Sequence, residues 1–241
     1  MRHGYATLAL GTALLAAGCA KVTSVDYYGL NRSAPHVLPG NAACPELPAG
    51  PDGFTAGLSY THAVMTSAGD TLTTGQRTAA GGRIRAGARS DFGLEYGLTG
   101  KYSAVHADGR LLLVRSPLRL GFDLGAGAAG APGGTAYSVD YALLAGVPLF
   151  GDRALVYLSP GMAHIRYTWK RVTVDNGEDT TAAAYANAVQ VSAGVRIAIP
   201  AGDGTFIKVR PELTYLGGRE PTLSRGAYKV LGPALYVEYD F

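Results

Sequence analysis

Three side chains of this 241-residue sequence could carry acid–base chemistry: His62, Asp70 and His164. An imidazole held beside a serine or an aspartate takes and returns a proton in hydrolases and acyltransferases. Asp70 follows His62 closely, but His164 is distant, and the spacing does not require the three residues to meet. Because a lone histidine is more often a hydrogen-bonded filler, we predict no catalysis and keep a hydrolase or acyltransferase as an alternative.

Two cysteines and one acidic stretch are the candidates for binding a metal ion. Cys19 and Cys44 are the only cysteines and have no neighbouring histidine, so they lack the spacing of a zinc cluster. The stretch 175–179 offers oxygen ligands of the kind that calcium prefers, but it lacks the spacing and the distal glutamate of a calcium loop. We therefore predict no metal and no cofactor.

The N-terminus has the features of a secretory signal. Arg2 and His3 precede an uncharged stretch, residues 6–17, that is too short to span a membrane as a helix and ends in small residues. The sequence therefore predicts an exported protein with a signal peptide at residues 1–18.

The end of this signal, residues 15–19, resembles a bacterial lipobox. The resemblance implies that Cys19 becomes the acylated first residue of the mature chain. Ordinary cleavage after Gly18 or Ala20 is the alternative, and Cys19 could then form a disulfide with Cys44 in an oxidising periplasm.

Composition favours the cell envelope over a soluble compartment. Charged residues make up only 16% of the chain, while glycine reaches 34 residues and tyrosine 15. Glycine suits crowded or bent strands, and tyrosine suits the boundary between lipid and water. The net charge is only +3, and the basic residues are spread singly along the chain without forming a patch, so we predict no nucleic-acid partner. Residues 19–52 are polar and rich in Pro, Gly and Asn, which predicts a periplasmic tether before a β domain at residues 53–241.

From residue 54 onward the chain alternates between apolar and polar residues, the period of β-strands. The clearest segments are 118–126, 136–149, 185–199 and 204–216. In each segment one face is apolar enough for lipid and the other carries polar or charged side chains. The sequence therefore predicts an all-β protein.

The last strand resembles that of bacterial outer-membrane β-barrels. The chain ends on Phe241, and Tyr239, Val237 and Leu235 occupy the alternate positions before it. In that family the terminal aromatic and this apolar face are the signal read by the barrel-assembly machinery. The resemblance implies an antiparallel up-and-down transmembrane β-barrel in the outer membrane of a Gram-negative bacterium. It also implies outer-membrane lipid and the assembly machinery as partners, a monomer, and external loops open to an unknown extracellular ligand.

The turns predict about ten strands, with eight or twelve as alternatives. Short turns near 90–91, 115–117, 151–152 and 201–204 are expected on the periplasmic side. Longer connections at 66–77, 128–136, 171–184 and 217–227 are expected outside. A reversal near 99–101 is needed to keep the strand count even, as bacterial barrels require.

The polar faces of the predicted strands define a charged lumen. Paired charges in a narrow, wet interior are tolerable, whereas an isolated charge is costly, so we predict a salt-bridge network that fills the bore. Its predicted members are Arg83, Arg85, Arg89, Glu95, Arg119, Asp123, Asp140, Arg166, Arg196, Lys208, Arg210, Glu212, Glu238 and Asp240.

The sequence thus predicts an envelope barrel with a structural or surface-interaction role. A narrow, porin-like channel for small solutes is an alternative, because only the filling of the lumen separates the two. A soluble periplasmic β-rich lipoprotein is another, since packing the apolar faces against each other would satisfy the same alternation.

Overall fold

The structure of the chain is a computed structural model that describes residues 24–26, 44–49, 52–67, 70–99, 102–131, 134–173, 179–219 and 227–241. The predicted signal peptide and the predicted acylation site Cys19 lie outside these residues. Within the described ranges, no helix is long and apolar enough to cross a membrane.

The described residues form strands joined by short turns. The strands are β1 (Ser24–Asp26), β2 (Phe54–Ser67), β3 (Asp70–Arg85), β4 (Ser90–Thr99), β5 (Tyr102–Val114), β6 (Arg119–Ala131), β7 (Gly134–Leu149), β8 (Ala154–Thr173), β9 (Asp179–Gly202), β10 (Thr205–Arg219) and β11 (Ala227–Asp240).

Strands β2 to β11 form a closed antiparallel barrel. Each strand pairs with the next in the chain, and β11 returns to β2 with Val237 opposite Leu58. The predicted fold, a ten-stranded up-and-down barrel, is confirmed, and the predicted reversal near 99–101 separates β4 from β5. Strand β1 is not one of the ten and pairs with residues 171–173 at the end of β8.

The barrel has two different ends. The terminal rim holds Phe54, Phe241 and the turns 86–89, 115–118, 150–153 and 203–204. The opposite end is the distal rim. The two longest strands, β8 with 20 residues and β9 with 24 residues, extend to this end. The connections predicted at 66–77, 128–136 and 171–184 are wrong in extent, because most of these residues are strand, whereas most of the connection predicted at 217–227 lies outside the described residues. The backbones of these strand residues still pair with neighbouring strands, although small and polar side chains replace the clear alternation of apolar and polar residues.

Local sequence sets the tightest turn at the terminal rim. Asp203 and Gly204 join β9 to β10, both with positive φ, 47° and 78°. A two-residue hairpin turn of this kind matches the right-handed twist of the flanking strands, and Asp-Gly tolerates it best. The turn therefore fixes which face of β10 points into the barrel.

Strand β10 shows how the two faces separate. Lys208, Arg210 and Thr214 point inward and are buried, whereas Leu213 and Tyr215 point outward and are exposed. The same division holds along β7, β9 and β11, so large apolar side chains cover the outside of the barrel. The distal half of the lumen is instead filled by small and aliphatic side chains: Ala63, Ala104, Ala129, Ala136, Ala163, Ile165, Ala186, Ala188, Leu216 and Val230, with Tyr167.

Close strand packing makes Gly161 a sensitive position. A Cβ atom there would press on the carbonyl oxygen of Tyr141 and lie 2.9 Å from the Cα atom of Ala142. We expect Gly161→Ala to lower the free energy of unfolding by about 1–3 kcal/mol, because the backbone of β7 must move. Gly130→Ala is the matched control, since a Cβ atom there meets nothing within 4 Å. Urea unfolding of both variants measures the difference, and equal stability would contradict this packing.

Candidate functional site

The lumen is entered by a short segment that precedes the barrel, residues 44–49, which we call the plug segment. The Cys44 side chain, a free thiol, is buried against Leu155 and Tyr157. Leu47 packs on a second group of lumen side chains that includes Leu112 and Leu144. The predicted location of residues 19–52 as a tether apart from the barrel is therefore wrong for residues 44–49.

Glu46 of the plug segment is the centre of an ion cluster. Its Oε2 atom lies 2.6 Å from Nε of Arg196 and 3.5 Å from Nζ of Lys208, and its Oε1 atom lies 3.7 Å from Nη1 of Arg119. Burial alone would raise the pKa of Glu46, but Lys208, Arg196 and Arg119 outweigh it and hold the pKa below its usual range. The Glu46 carboxylate is therefore ionised and pairs with cations of three strands.

The backbone of the plug segment is also held by lumen side chains. Arg110 donates to the carbonyl oxygen of Cys44, and Arg85 donates to that of Pro48. The amide of Ala49 donates to Oδ2 of Asp240 at 3.1 Å, and Asp240 also accepts from Lys208 at 2.6 Å. Buried backbone groups need such partners, so these contacts fix the path of the segment through the lumen.

A second ion cluster lines the wall formed by β3, β4 and β5. Arg83 contacts Asp91 at 2.8 Å and also binds Asp108. Arg110 binds Asp91 through two nitrogens, Nη2 at 2.5 Å and Nε at 3.0 Å. A bidentate guanidinium–carboxylate contact fixes both side chains, so this cluster is rigid as well as neutralised.

Next to this wall lies a histidine among acids. Nε2 of His106 lies 2.9 Å from Oδ1 of Asp140, and its Nδ1 lies 3.8 Å from Oδ1 of Asp108. Asp123 also points inward here and is buried. Within the described residues, no group of three or more His, Cys, Asp or Glu side chains is arranged to hold a metal ion.

A third group of contacts joins β8, β10 and β11. The Tyr157 hydroxyl donates to Glu212 at 2.5 Å, and Arg210 pairs with Glu238 at 3.5 Å. The Arg210 guanidinium also lies 3.9 Å from the ring centre of Tyr236. Arg210 is therefore neutralised and stacked although only 1% of it is exposed.

A cavity of about 490 Å³ lies at the terminal rim, with the plug segment as one of its walls. The cations that line it are Arg85, Arg115, Arg119, Arg196 and Lys208. Three of them, Arg119, Arg196 and Lys208, pair with Glu46 of the plug segment.

Most predicted lumen residues point into the barrel. Those placed there are Arg83, Glu95, Arg119, Asp123, Asp140, Arg196, Lys208, Arg210, Glu212, Glu238 and Asp240, with Arg85 at the mouth on the terminal rim. Glu95 binds Arg77, which the sequence analysis did not include.

Two predicted lumen residues are elsewhere, and these predictions are wrong. Arg89 lies in an exposed turn, where it donates to the carbonyl oxygen of Leu113 at 3.2 Å. Arg166 lies on the outer face, 5.8 Å from the ring centre of Tyr185. The alternation of β8 is ambiguous in sequence, because Leu155 and Tyr157 pack inward on the plug segment while Val156 and Leu158 point outward.

Six charged or titratable residues inside the barrel were not predicted from the sequence: Arg77, Asp91, His106, Asp108, Arg110 and Glu46 of the plug segment. His106, Asp108 and Arg110 do alternate along β5, but the small outward residues Ala107 and Gly109 hide the apolar face. Arg77 and Glu46 fall in segments that composition assigned to a loop and a tether.

The candidate acid–base residues do not assemble. His62 and His164 both lie on the outer face, on β2 and β8, with three strands between them. His164 contacts Oδ1 of Asn187 at 2.7 Å. The side chain of Asp70 lies outside the part of the structure that describes side chains.

No family model and no curated protein matches this chain. Solved structures similar to it include Neisserial surface protein A, 14% identical, with a TM-score of 0.43 over 78% of this chain and 97% of that one. The β domain of the Bordetella autotransporter BrkA is 14% identical, with a TM-score of 0.42 over 80% of this chain and 100% of that one. The attachment invasion locus protein Ail of Yersinia pestis is 13% identical, with a TM-score of 0.35 over 78% and 97%.

Glu46 should control access to Cys44. In full-length protein carrying Cys19→Ala, we expect Glu46→Gln to speed maleimide labelling of Cys44 about tenfold or more, because Arg196 and Lys208 lose a buried counter-charge. Asp152→Asn is the matched control: Asp152 pairs with Arg119 at 3.0 Å but is exposed, so its loss should change the rate less than about threefold. Equal labelling of the two variants would show that Glu46 does not hold the plug segment.

Proposed function

We propose that the protein is a Gram-negative outer-membrane β-barrel with a structural or surface-interaction role and a lumen closed by its own side chains and plug segment. The observation that carries this proposal is the placement of the side chains, which is the reverse of that in a soluble protein: large apolar side chains point outward and most charged ones point into the lumen. The proposal assigns the protein no catalytic step.

The outer surface supports membrane insertion. Leu58 and Leu124 are each 62% exposed and Phe92 is 61% exposed, and comparable residues occur on every strand from β2 to β11. Soluble monomers rarely expose continuous apolar surface of this extent, whereas lipid-facing strands require it. The same observation opposes the soluble lipoprotein, in which these faces would pack against each other.

The last strand supports the predicted assembly signal. Leu235, Val237 and Phe241 point outward and are exposed, and Tyr239 shares their face. The Phe241 ring lies 4.7 Å from that of Tyr239 and 5.5 Å from that of Phe54. These aromatic rings at the terminal rim suit a membrane interface. In this proposal the terminal rim is periplasmic and the distal rim external; acylation of Cys19 stays a prediction.

The filled lumen favours a closed barrel over the channel. Ion pairs occupy the terminal half, and the apolar cluster that contains Ile165 and Leu216 occupies the distal half. A solute path would have to displace both. Stepwise ohmic conductance of the purified protein in planar bilayers would instead favour the narrow channel.

The distal rim is the surface offered for contact. Strands β8 and β9 remain paired from Ala154 to Val172, well beyond the length of about 9 to 11 residues that crosses a membrane. Their hairpin therefore extends outside the bilayer, where a paired ladder is rigid enough to present side chains to a partner.

Membrane fractionation tests the proposal. We expect the protein to stay in outer membranes washed with urea and to change its gel mobility on boiling, because a closed barrel keeps its fold in detergent until it is heated. Release by urea without a mobility shift would contradict membrane insertion and return attention to the soluble lipoprotein.

A further inference from the structure

Among strand residues whose side chains the structure describes, the charged ones on the outer face of the barrel are all of one sign. These are Arg166, Arg219 and Lys229, and all three are exposed. An outward-facing acid is absent from this set of described side chains. The outer face therefore carries positive charge that no carboxylate on the same described surface balances.

These three cations lie on one side of the barrel. Arg166 is on β8, Arg219 on β10 and Lys229 on β11, strands that follow each other around the wall with β9 between the first two. We call the three the cationic patch. Two strands beyond β11 around the wall, β3 carries the neutral Gln76 and Thr78 on its outer face near the same rim.

Strand register places the patch on a diagonal across the strands, and the tilt of barrel strands brings this diagonal to one height. Asn187 of β9 lies opposite both His164 of β8 and Arg219 of β10. Arg166 is therefore two residues nearer the distal rim than this row. Lys229 lies opposite Gly217, which is two residues nearer the terminal rim than Arg219. With strands about 4.8 Å apart, the patch spans roughly 15 Å across four strands.

The patch also lies at the upper edge of the apolar belt. On β11, Lys229 is followed on the same face by the exposed Leu231 and Leu235, and on β10, Arg219 follows Leu213 and Tyr215. Arg166 stands over the Tyr185 ring, a contact that leaves the edge of the guanidinium able to donate. Cations at this height meet lipid headgroups rather than acyl chains.

We propose that the cationic patch binds a phosphate-bearing lipid headgroup in the leaflet at the distal rim. This inference rests on the proposed function, since it requires the belt to lie in a membrane. A phosphate supplies the counter-charge that the described outer face lacks, and arginine guanidinium groups match phosphate oxygens with paired hydrogen bonds. Among the described outward side chains the positive charge is confined to one wall, which makes this a site for a lipid and not a general attraction around the barrel.

The test compares two triple variants of the full-length protein in neutral detergent. Arg166→Gln, Arg219→Gln and Lys229→Gln remove the patch. Arg89→Gln, Arg115→Gln and Arg153→Gln remove the same charge from turns at the terminal rim. Native mass spectrometry with lipid A as the probe measures the concentration that half-saturates each protein.

We expect the patch variant to bind lipid A at least tenfold more weakly than the unchanged protein and the turn variant to bind within about twofold, with both variants still heat-modifiable. Dephosphorylated lipid A should bind all three proteins alike and weakly. Equal lipid A binding by the two variants, or equal binding of the dephosphorylated lipid by the unchanged protein, would overturn the site. If the unchanged protein is instead washed from membranes by urea, the proposed function itself fails.

Discussion

In the outer membrane proposed for this protein, every backbone N–H and C=O group that lies in hydrocarbon must find its partner within the protein, and this requirement would govern the barrel. The pairing of β11 with β2 meets it by leaving no open edge among the ten strands. Once the ring is closed, the two-residue period of a strand sends each second side chain into the lumen. The residues left outside within the apolar belt are mostly leucine, valine, isoleucine, phenylalanine and tyrosine, and the charges at this level have only the interior to occupy.

That interior is too narrow for its charges to remain hydrated and separate, so they must neutralise one another. Arg83, Asp91, Asp108 and Arg110 do so within the wall. Arg196 relies on Glu46, a residue that precedes the first barrel strand, and Lys208 is shared between Glu46 and Asp240. The plug segment is therefore an electrostatic part of the barrel as well as an obstruction. Nearer the distal rim the lumen side chains are alanine, isoleucine, leucine and valine, which fill space without needing partners.

Sequence alone predicted the closed ten-stranded fold, because large apolar residues mark the outer face of β7, β9, β10 and β11 without ambiguity. It assigned Arg166 to the wrong face, since the terminal half of β8 is apolar on both sides for two different reasons, lipid outside and Cys44 inside. It missed His106, Asp108 and Arg110, whose outward neighbours are small. Glu46 could not be predicted locally, because its role depends on cations far along the chain that only the closed barrel brings together.

The central claim is that the apolar outer face contacts acyl chains. A fluorophore on Leu143→Cys, which lies outward in the middle of β7, can be compared with one on Ala88→Cys in a turn at the terminal rim, both in protein whose Cys19 and Cys44 are alanine. After reconstitution with lipids brominated along the acyl chain, the account predicts strong quenching at position 143 and little at position 88. Equal, weak quenching at both positions would contradict it, because the outer face would then be covered by protein or water.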